Sequence, residues 1–301
     1  MILDDAAAFV APFRISKGKG FALARHAPDD MGGKTLTKDE ARTLLELGKE
    51  RLRELQERLY ASDTWSVLII LQAMDAAGKD STIEHVMSGV NPQGCQVFSF
   101  KAPSPEELDH DFLWRTARAL PERGRIGIHN RSCYEEALVV RVHPEFLQGQ
   151  RLPKQNPFAA EAGSKDFWAE RLKAIADHER HLAQSGTKII KFFLHVSKEE
   201  QKARQLERID DPTKNWKFNA RDVAERAHWD SYMAAYESAI GATAAGHAPW
   251  YVIPADRKWF MRLAVMGALV AELESLNLEY PKLSHEEAAK LAEVRKALLA
   301  S

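Results

Sequence analysis

Residues 66–82 read SVLIILQAMDAAGKDST. Val67, Leu68, Ile69, Ile70 and Leu71 form an apolar run too short to cross a membrane and β-branched enough for a strand buried on both faces. The run ends in Ala73-Met74-Asp75-Ala76-Ala77-Gly78-Lys79, small residues ahead of a lysine that opens a helix. This ending is a variant of the pattern G-x-x-x-x-G-K-[ST], in which backbone N–H groups wrap phosphate oxygens and the lysine adds positive charge. Ala73 replaces the first glycine, Asp80 stands where a hydroxyl normally follows the lysine, and Ser81 and Thr82 come just after. Taken alone, the stretch reads either as a phosphate loop or as a strand-to-helix turn with close-packed small residues and a solvated lysine.

The chain has 301 residues, 45% of them hydrophobic, enough to bury a sizeable core. A formal net charge of −1 gives no global attraction for nucleic acid, so any anion-binding surface is local. Cys95 and Cys133 are far apart, with no CxxC pattern and no flanking histidine, which fits a reducing compartment rather than a disulfide scaffold or a zinc site. The histidines are scattered without an HExxH-like pair and read as packing residues. No basic-then-apolar leader is present and no apolar run approaches the roughly 20 residues of a membrane helix. The expectation is a cytoplasmic protein with neither a membrane nor a nucleic-acid partner.

Around the opening stretch, residues 1–36 read as an irregular extension lying on a single domain of residues 37–301. Thr37 to Glu40 forms a capping box, and Ala41, Leu44, Leu45, Gly48, Leu52, Leu55 and Leu59 follow at helical spacing, predicting a helix over 37–60. Strands are expected at 66–72, 95–100, 124–129, 188–194 and 250–254. Helices are expected over 105–119, opened by Ser104-Pro105-Glu106-Glu107, after Ser164 and Ser197, and over 284–300. Five strands separated by helices, with no long Pro/Gly/Ser linker, predict an α/β fold with a mostly parallel sheet. Asn130-Arg131-Ser132 leaves the third strand at its C-terminal end, where open parallel sheets place ligands. Residues 203–222 carry Arg204, Arg208, Lys214, Lys217 and Arg221 around Pro212, a pattern that fits a cationic lid or a solvated hairpin.

The runs MDAAGKDSTIEHVMSGVNPQG (74–94), SFKAPSPEELDHDFLWR (99–115), GRIGIHNRSCYEEALVVRVHPE (124–145), QLERIDDPTKNWKF (205–218) and HAPWYVIPADRKWFMRL (247–263) together resemble the polyphosphate kinase 2 family. The resemblance implies a P-loop kinase-like three-layer α/β sandwich with a helical lid at about 203–222. It also implies phosphoryl transfer from inorganic polyphosphate to AMP or ADP, reversibly and with Mg²⁺. The base would be adenine, with guanine also admitted, and the assembly a homo-oligomer built from dimers.

Carried over by position, Lys79 rides the phosphate chain, Asp75 holds Mg²⁺, Asn130 occupies the second-motif site and Arg131 neutralises the transferring group. Ala76, Ala77, Gly78, Asp80, Ser81 and Thr82 belong to the phosphate-binding turn. Lys101, Tyr134, Glu135, Arg204, Arg208, Lys214 and Lys217 are further nucleotide or polyphosphate contacts. The resemblance points to the subclass accepting both AMP and ADP, because members acting mainly on ADP carry aspartate at the position of Asn130. His129 and Glu84 depart from the phenylalanine and lysine common in the family. Arg115, Arg118, Arg123 and Arg125, with Lys101, are candidates from spacing for a polyanion groove. At the level of residues two other readings stay open: an ATP-dependent nucleotide kinase on the same fold, and a non-catalytic nucleotide or polyphosphate sensor.

Overall fold

The computed structural model describes residues 5–158, 161–217 and 219–300. Every residue of Ser66–Ala73 is buried, as a strand covered on both faces requires. It is β2 of a six-stranded sheet completed in chain order by Arg14–Ile15 (β1), Cys95–Ser99 (β3), Ile126–Asn130 (β4), Thr187–His195 (β5) and Trp250–Pro254 (β6). The strand order is β1-β6-β5-β2-β4-β3, and all neighbours are parallel except β1 against β6. Ile69 of β2 lies opposite Ile190 on one side and Ile128 on the other.

Parallel neighbours need long crossovers, and the helices that supply them cover the sheet. Lys38–Ser62 (α1), Lys79–Met87 (α2) and Lys258–Glu274 (α6) pack together on one face, where Ile69 and Leu71 meet Val86 and Val265. Lys165–Gln184 (α3) and Trp229–Thr243 (α5) cover the other. Lys198–Asp210 (α4) leaves β5 and crosses the C-terminal edge of β2, and His285–Ala300 (α7) is exposed throughout. Among the described residues no helix is long and apolar enough to cross a membrane.

Three expectations change. The sheet has six strands rather than five, because Arg14 and Ile15 add an antiparallel edge pairing with Tyr251 and Trp250. A two-residue strand carries no periodicity, and its partner lies far along the chain. The first 36 residues are also less separate than they read: Ala6, Phe9, Val10, Phe13 and Leu23 are buried in the main core. Gly267 on α6 admits Phe9, since a Cβ there would lie 3.0 Å from its ring. The helix expected over 105–119 is instead two short pieces, Pro105–Leu108 and Trp114–Ala117. The Ser104 capping box forms, but Asp111 then accepts from the Leu113 amide and His110 Nδ1 engages the Glu106 carbonyl, so side chains displace the helical ladder.

Lys191 of β5, in register with Ile70, points to the α3–α5 face and is fully buried. Its ammonium donates to Glu179 Oε2 (2.5 Å), the Thr243 carbonyl (2.9 Å) and the Tyr134 hydroxyl (3.0 Å). The network ties sheet and helices to the loop after β4. Removing one partner of a buried ion pair strands the other charge, whereas replacing both with apolar groups does not. Glu179→Ala is therefore expected to lower the unfolding free energy by about 3–5 kcal/mol, and Glu179→Leu with Lys191→Met to recover most of that loss. Urea unfolding checks this, and equal losses in both proteins would show that the pair does not act as a unit.

Candidate active site

β4 lies on one side of β2 and β5 on the other: from β2 the chain passes to the edge strand β3, returns to β4, and then crosses β2 to reach β5. The crevice beyond the C-terminal end of β2 is thus the switch point where open α/β sheets bind ligands. The turn from β2 to α2 lies there. Ala76 (φ 62°) and Gly78 (φ 110°) take left-handed backbone, which costs the alanine about 1 kcal/mol. Lys79, only 9% exposed, folds back so that its ammonium donates to the carbonyls of Ala73 (2.7 Å) and Met74 (3.4 Å). The solvated-lysine reading is excluded by that geometry. Burial, and then the nearby Arg131 guanidinium, lower the Lys79 pKa from its ordinary value.

α4 holds the turn from above. The buried Arg204 guanidinium donates to the carbonyls of Ala77 (2.7 Å) and Ala76 (3.3 Å) through Nη1 and of Ala255 (2.5 Å) through Nη2. Its Nε is taken by Glu200 Oε1 at 2.7 Å, and Gln201 Nε2 donates to the Asp75 carbonyl at 2.9 Å. The turn is preformed, and the first amides of α2 face the crevice as an anion site.

From β4 come Asn130 and Arg131. Asn130 Nδ2 donates to Asp80 Oδ1 at 2.5 Å. Arg131 (φ 67°) is pinned by Glu135 Oε2 (3.0 Å) and Asp75 Oδ1 (2.9 Å), and these carboxylates, Glu135 first, raise its pKa. The cation remains about a third exposed and faces a cleft of about 530 Å³, a size suited to a small ligand.

Asp75, Ala76, Gly78, Lys79, Asp80, Ser81, Lys101, Asn130, Arg131 and Arg208, all candidates from the sequence, line this cleft together. Ser99, Phe100 and Trp216 line it as well; for the first two the signal was their place at the end of a strand. The remaining candidates sit elsewhere. Tyr134 is a correction: it is fully buried, with its hydroxyl in the Lys191 network, and does not line the cleft. Thr82 is buried against the Gly78 carbonyl and Ala77 is enclosed in the core, so both support the turn from beneath. Glu135 and Arg204 act on the cleft through Arg131 and the loop carbonyls. Lys214 is occupied by Glu207 (2.8 Å) and Asp211 (2.9 Å). The Lys217 and Arg221 side chains lie outside the described residues.

The expected polyanion groove is not assembled beyond Lys101. Arg115 is buried and donates to the Lys101 carbonyl, Arg118 stacks over Trp114, and Arg123 and Arg125 lie at the N-terminal end of the sheet, away from the cleft. The two family departures have local reasons. Buried His129 contacts the rings of Phe98 and Phe100 edge-on and engages the Ala119 carbonyl, filling an aromatic's place. Glu84 lies close enough to Arg262 to favour its charge.

Among the described residues no group of three His, Cys, Asp or Glu side chains forms a metal site. A hard divalent cation that arrives with phosphates and keeps its waters needs only one or two carboxylates. The cleft fits that demand, because its donors are oxygens: the Asp75 carboxylate and the buried Asn130 Oδ1, which has no hydrogen-bond partner among the described residues. Burial pushes the Cys95 thiol up to about 11 and the Cys133 thiol to about 12, so neither is a thiolate nucleophile at neutral pH.

The sequence profile of polyphosphate kinase 2 matches residues 35–281. The chain belongs to the polyphosphate kinase 2 family. It is 50% identical to an ADP-polyphosphate phosphotransferase of Rhodopseudomonas palustris, over 95% of this chain and 97% of that protein. It is 44% identical to an AMP/ADP-polyphosphate phosphotransferase of Meiothermus ruber, over 90% of this chain and 95% of the other. The crystal structure of polyphosphate kinase 2 from Arthrobacter aurescens TC1 superposes with a TM-score of 0.84 at 40% identity, covering 95% of both chains.

Within this polyphosphate kinase 2 fold, Arg204 is the strongest link between α4 and the turn. Lysine cannot reproduce its fork of donors, and buried carbonyls left unpaired are costly. Arg204→Lys is expected to speed amide hydrogen exchange at residues 74–78 by at least about tenfold while the amides of α6 stay protected. Unchanged exchange in the turn would show that α4 does not hold it.

Proposed function

We propose that this protein transfers a phosphoryl group between inorganic polyphosphate and adenine nucleotides, making ATP from ADP and ADP from AMP, reversibly and with Mg²⁺. The carrying observation is the buried Lys79 ammonium beside the α2 N-terminus, facing Arg131 across a cleft in a chain of this family. The names of the relatives support the donor, and both acceptors occur among them.

The reaction asks for alignment and charge more than covalent work. An oxygen of the acceptor's terminal phosphate forms the new P–O bond as the bond to the rest of the polyphosphate breaks, and the shortened chain leaves with the bonding electrons. Lys79 and the first amides of α2 hold phosphate oxygens in line. Arg131, preset by Glu135 and Asp75, faces the charge on the group in transit. Lys101 and Arg208 approach from the other sides of the cleft, Arg208 from the segment after β5 that we read as the lid. Asp75 is the residue we assign to Mg²⁺, which when bound neutralises phosphate charge. We also place the protein in the cytoplasm as a homo-oligomer; exposed Leu291, Val294 and Leu299 on α7 support a further contact.

Purified protein with Mg²⁺, polyphosphate and either ADP or AMP is expected to yield ATP or ADP, with a rate that falls as salt rises. Lys79→Ala should reduce that rate at least about 10²-fold, since a charged contact to the transition state is worth several kcal/mol. Transfer to AMP from ATP with no activity on polyphosphate would reassign the donor. Ligand binding without turnover would reduce the protein to a sensor.

A further inference from the structure

Asp80 follows the loop lysine, and its contact with Asn130 joins two segments 50 residues apart on facing walls of the cleft. An amide side chain can donate only through its nitrogen, so the carboxylate decides which way Asn130 is turned. The reverse orientation would set Oδ1 against a carboxylate oxygen. Held this way, Asn130 Oδ1 remains buried and unbonded among the described residues, while Asn130 itself lines the cleft.

We infer that Asp80 is a positioning residue for acceptor choice: it keeps the pair's negative charge on the α2 side and fixes an uncharged Asn130 on the wall of the cleft. The inference rests on the phosphotransfer reading for what the acceptors are. A nucleoside mono- and diphosphate differ by one phosphate, hence in charge and in how far the terminal oxygen reaches from the sugar. The pair carries one negative charge on whichever residue holds the carboxylate. In a partly buried cleft, where Coulomb energy changes steeply with short distances, moving that charge across one hydrogen bond is felt differently by the two acceptors. Lys79 and Arg131 face the pair unchanged in either arrangement.

This makes Asn130→Asp alone a poor probe of selectivity, because it would place two carboxylates in direct contact. The decisive comparison uses four proteins: the unmodified chain, Asp80→Asn, Asn130→Asp, and the double substitution, which reverses donor and acceptor while keeping one charge. Thermal unfolding and calorimetric titration with AMP and ADP, without metal or polyphosphate, are read first, followed by initial rates with polyphosphate. Asn130→Asp is expected to lower Tm and weaken both nucleotides. The double substitution is expected to return Tm close to that of the unmodified protein and to shift the AMP:ADP affinity ratio at least about fivefold, a coupling of the size contacting residues show. Additive Tm losses would overturn the inference, as would restored Tm with an unaltered ratio, which leaves the pair a purely structural role. A shifted ratio in a protein that makes no product from polyphosphate would uphold the pair and overturn the phosphotransfer reading instead. Absence of nucleotide binding in the unmodified protein would overturn both.

Discussion

From a buried position on α4, the Arg204 guanidinium donates to carbonyls on both sides of the crevice, those of Ala76 and Ala77 in the turn and that of Ala255 just after β6. Much of the site depends on this fork. The turn contains an alanine in left-handed backbone and a lysine folded over its own carbonyls, neither of which a free loop would hold. Arg204 supplies the restraint from above and the buried strand β2 supplies it from below. With both in place the α2 N-terminus and the Lys79 ammonium are set before any ligand arrives, which reduces the reorganisation that charge stabilisation would otherwise require.

The same economy of charge appears across the cleft. Arg131 also adopts left-handed backbone, and its two carboxylate partners hold it while leaving part of the guanidinium open. Behind it, Glu135 continues directly into Tyr134, which the Lys191–Glu179 pair anchors in the core. The reactive wall is therefore connected, residue to residue, with the sheet's most deeply buried ion pair. A protein with a formal net charge of −1 presents cations to a polyanion by arranging a few of them. Two of its other arginines hold loops: Arg123 caps carbonyls at the N-terminal ends of β2 and β5, and Arg115 binds the Lys101 carbonyl.

The features legible in the sequence were those set by local rules. The apolar run at 67–71 gave a buried strand, Gly78-Lys79 opened the helix after it, and Thr37 and Ser104 formed their capping boxes as spacing required. What escaped depends on distant partners. The two-residue β1 exists because β6 offers it an edge. The helix expected over 105–119 broke because Asp111 and His110 found backbone groups nearby. Tyr134 lies within the second motif, yet whether it faces ligand or core was decided by Glu179, Thr243 and Lys191 on three other elements. Nor does sequence spacing separate a cation lining a cleft, such as Arg208, from one consumed by its neighbours, such as Lys214.

The central claim is that the cleft passes a phosphoryl group between two phosphate ligands without releasing it to water. Phosphorus NMR of the protein with Mg²⁺, polyphosphate and ADP follows donor and product in one sample. The β-phosphate signal of ATP is expected to grow in proportion to the loss of chain-interior phosphate, with little orthophosphate formed. Loss of interior signal matched by orthophosphate, with ADP unchanged, would make the cleft a hydrolytic site and contradict the claim.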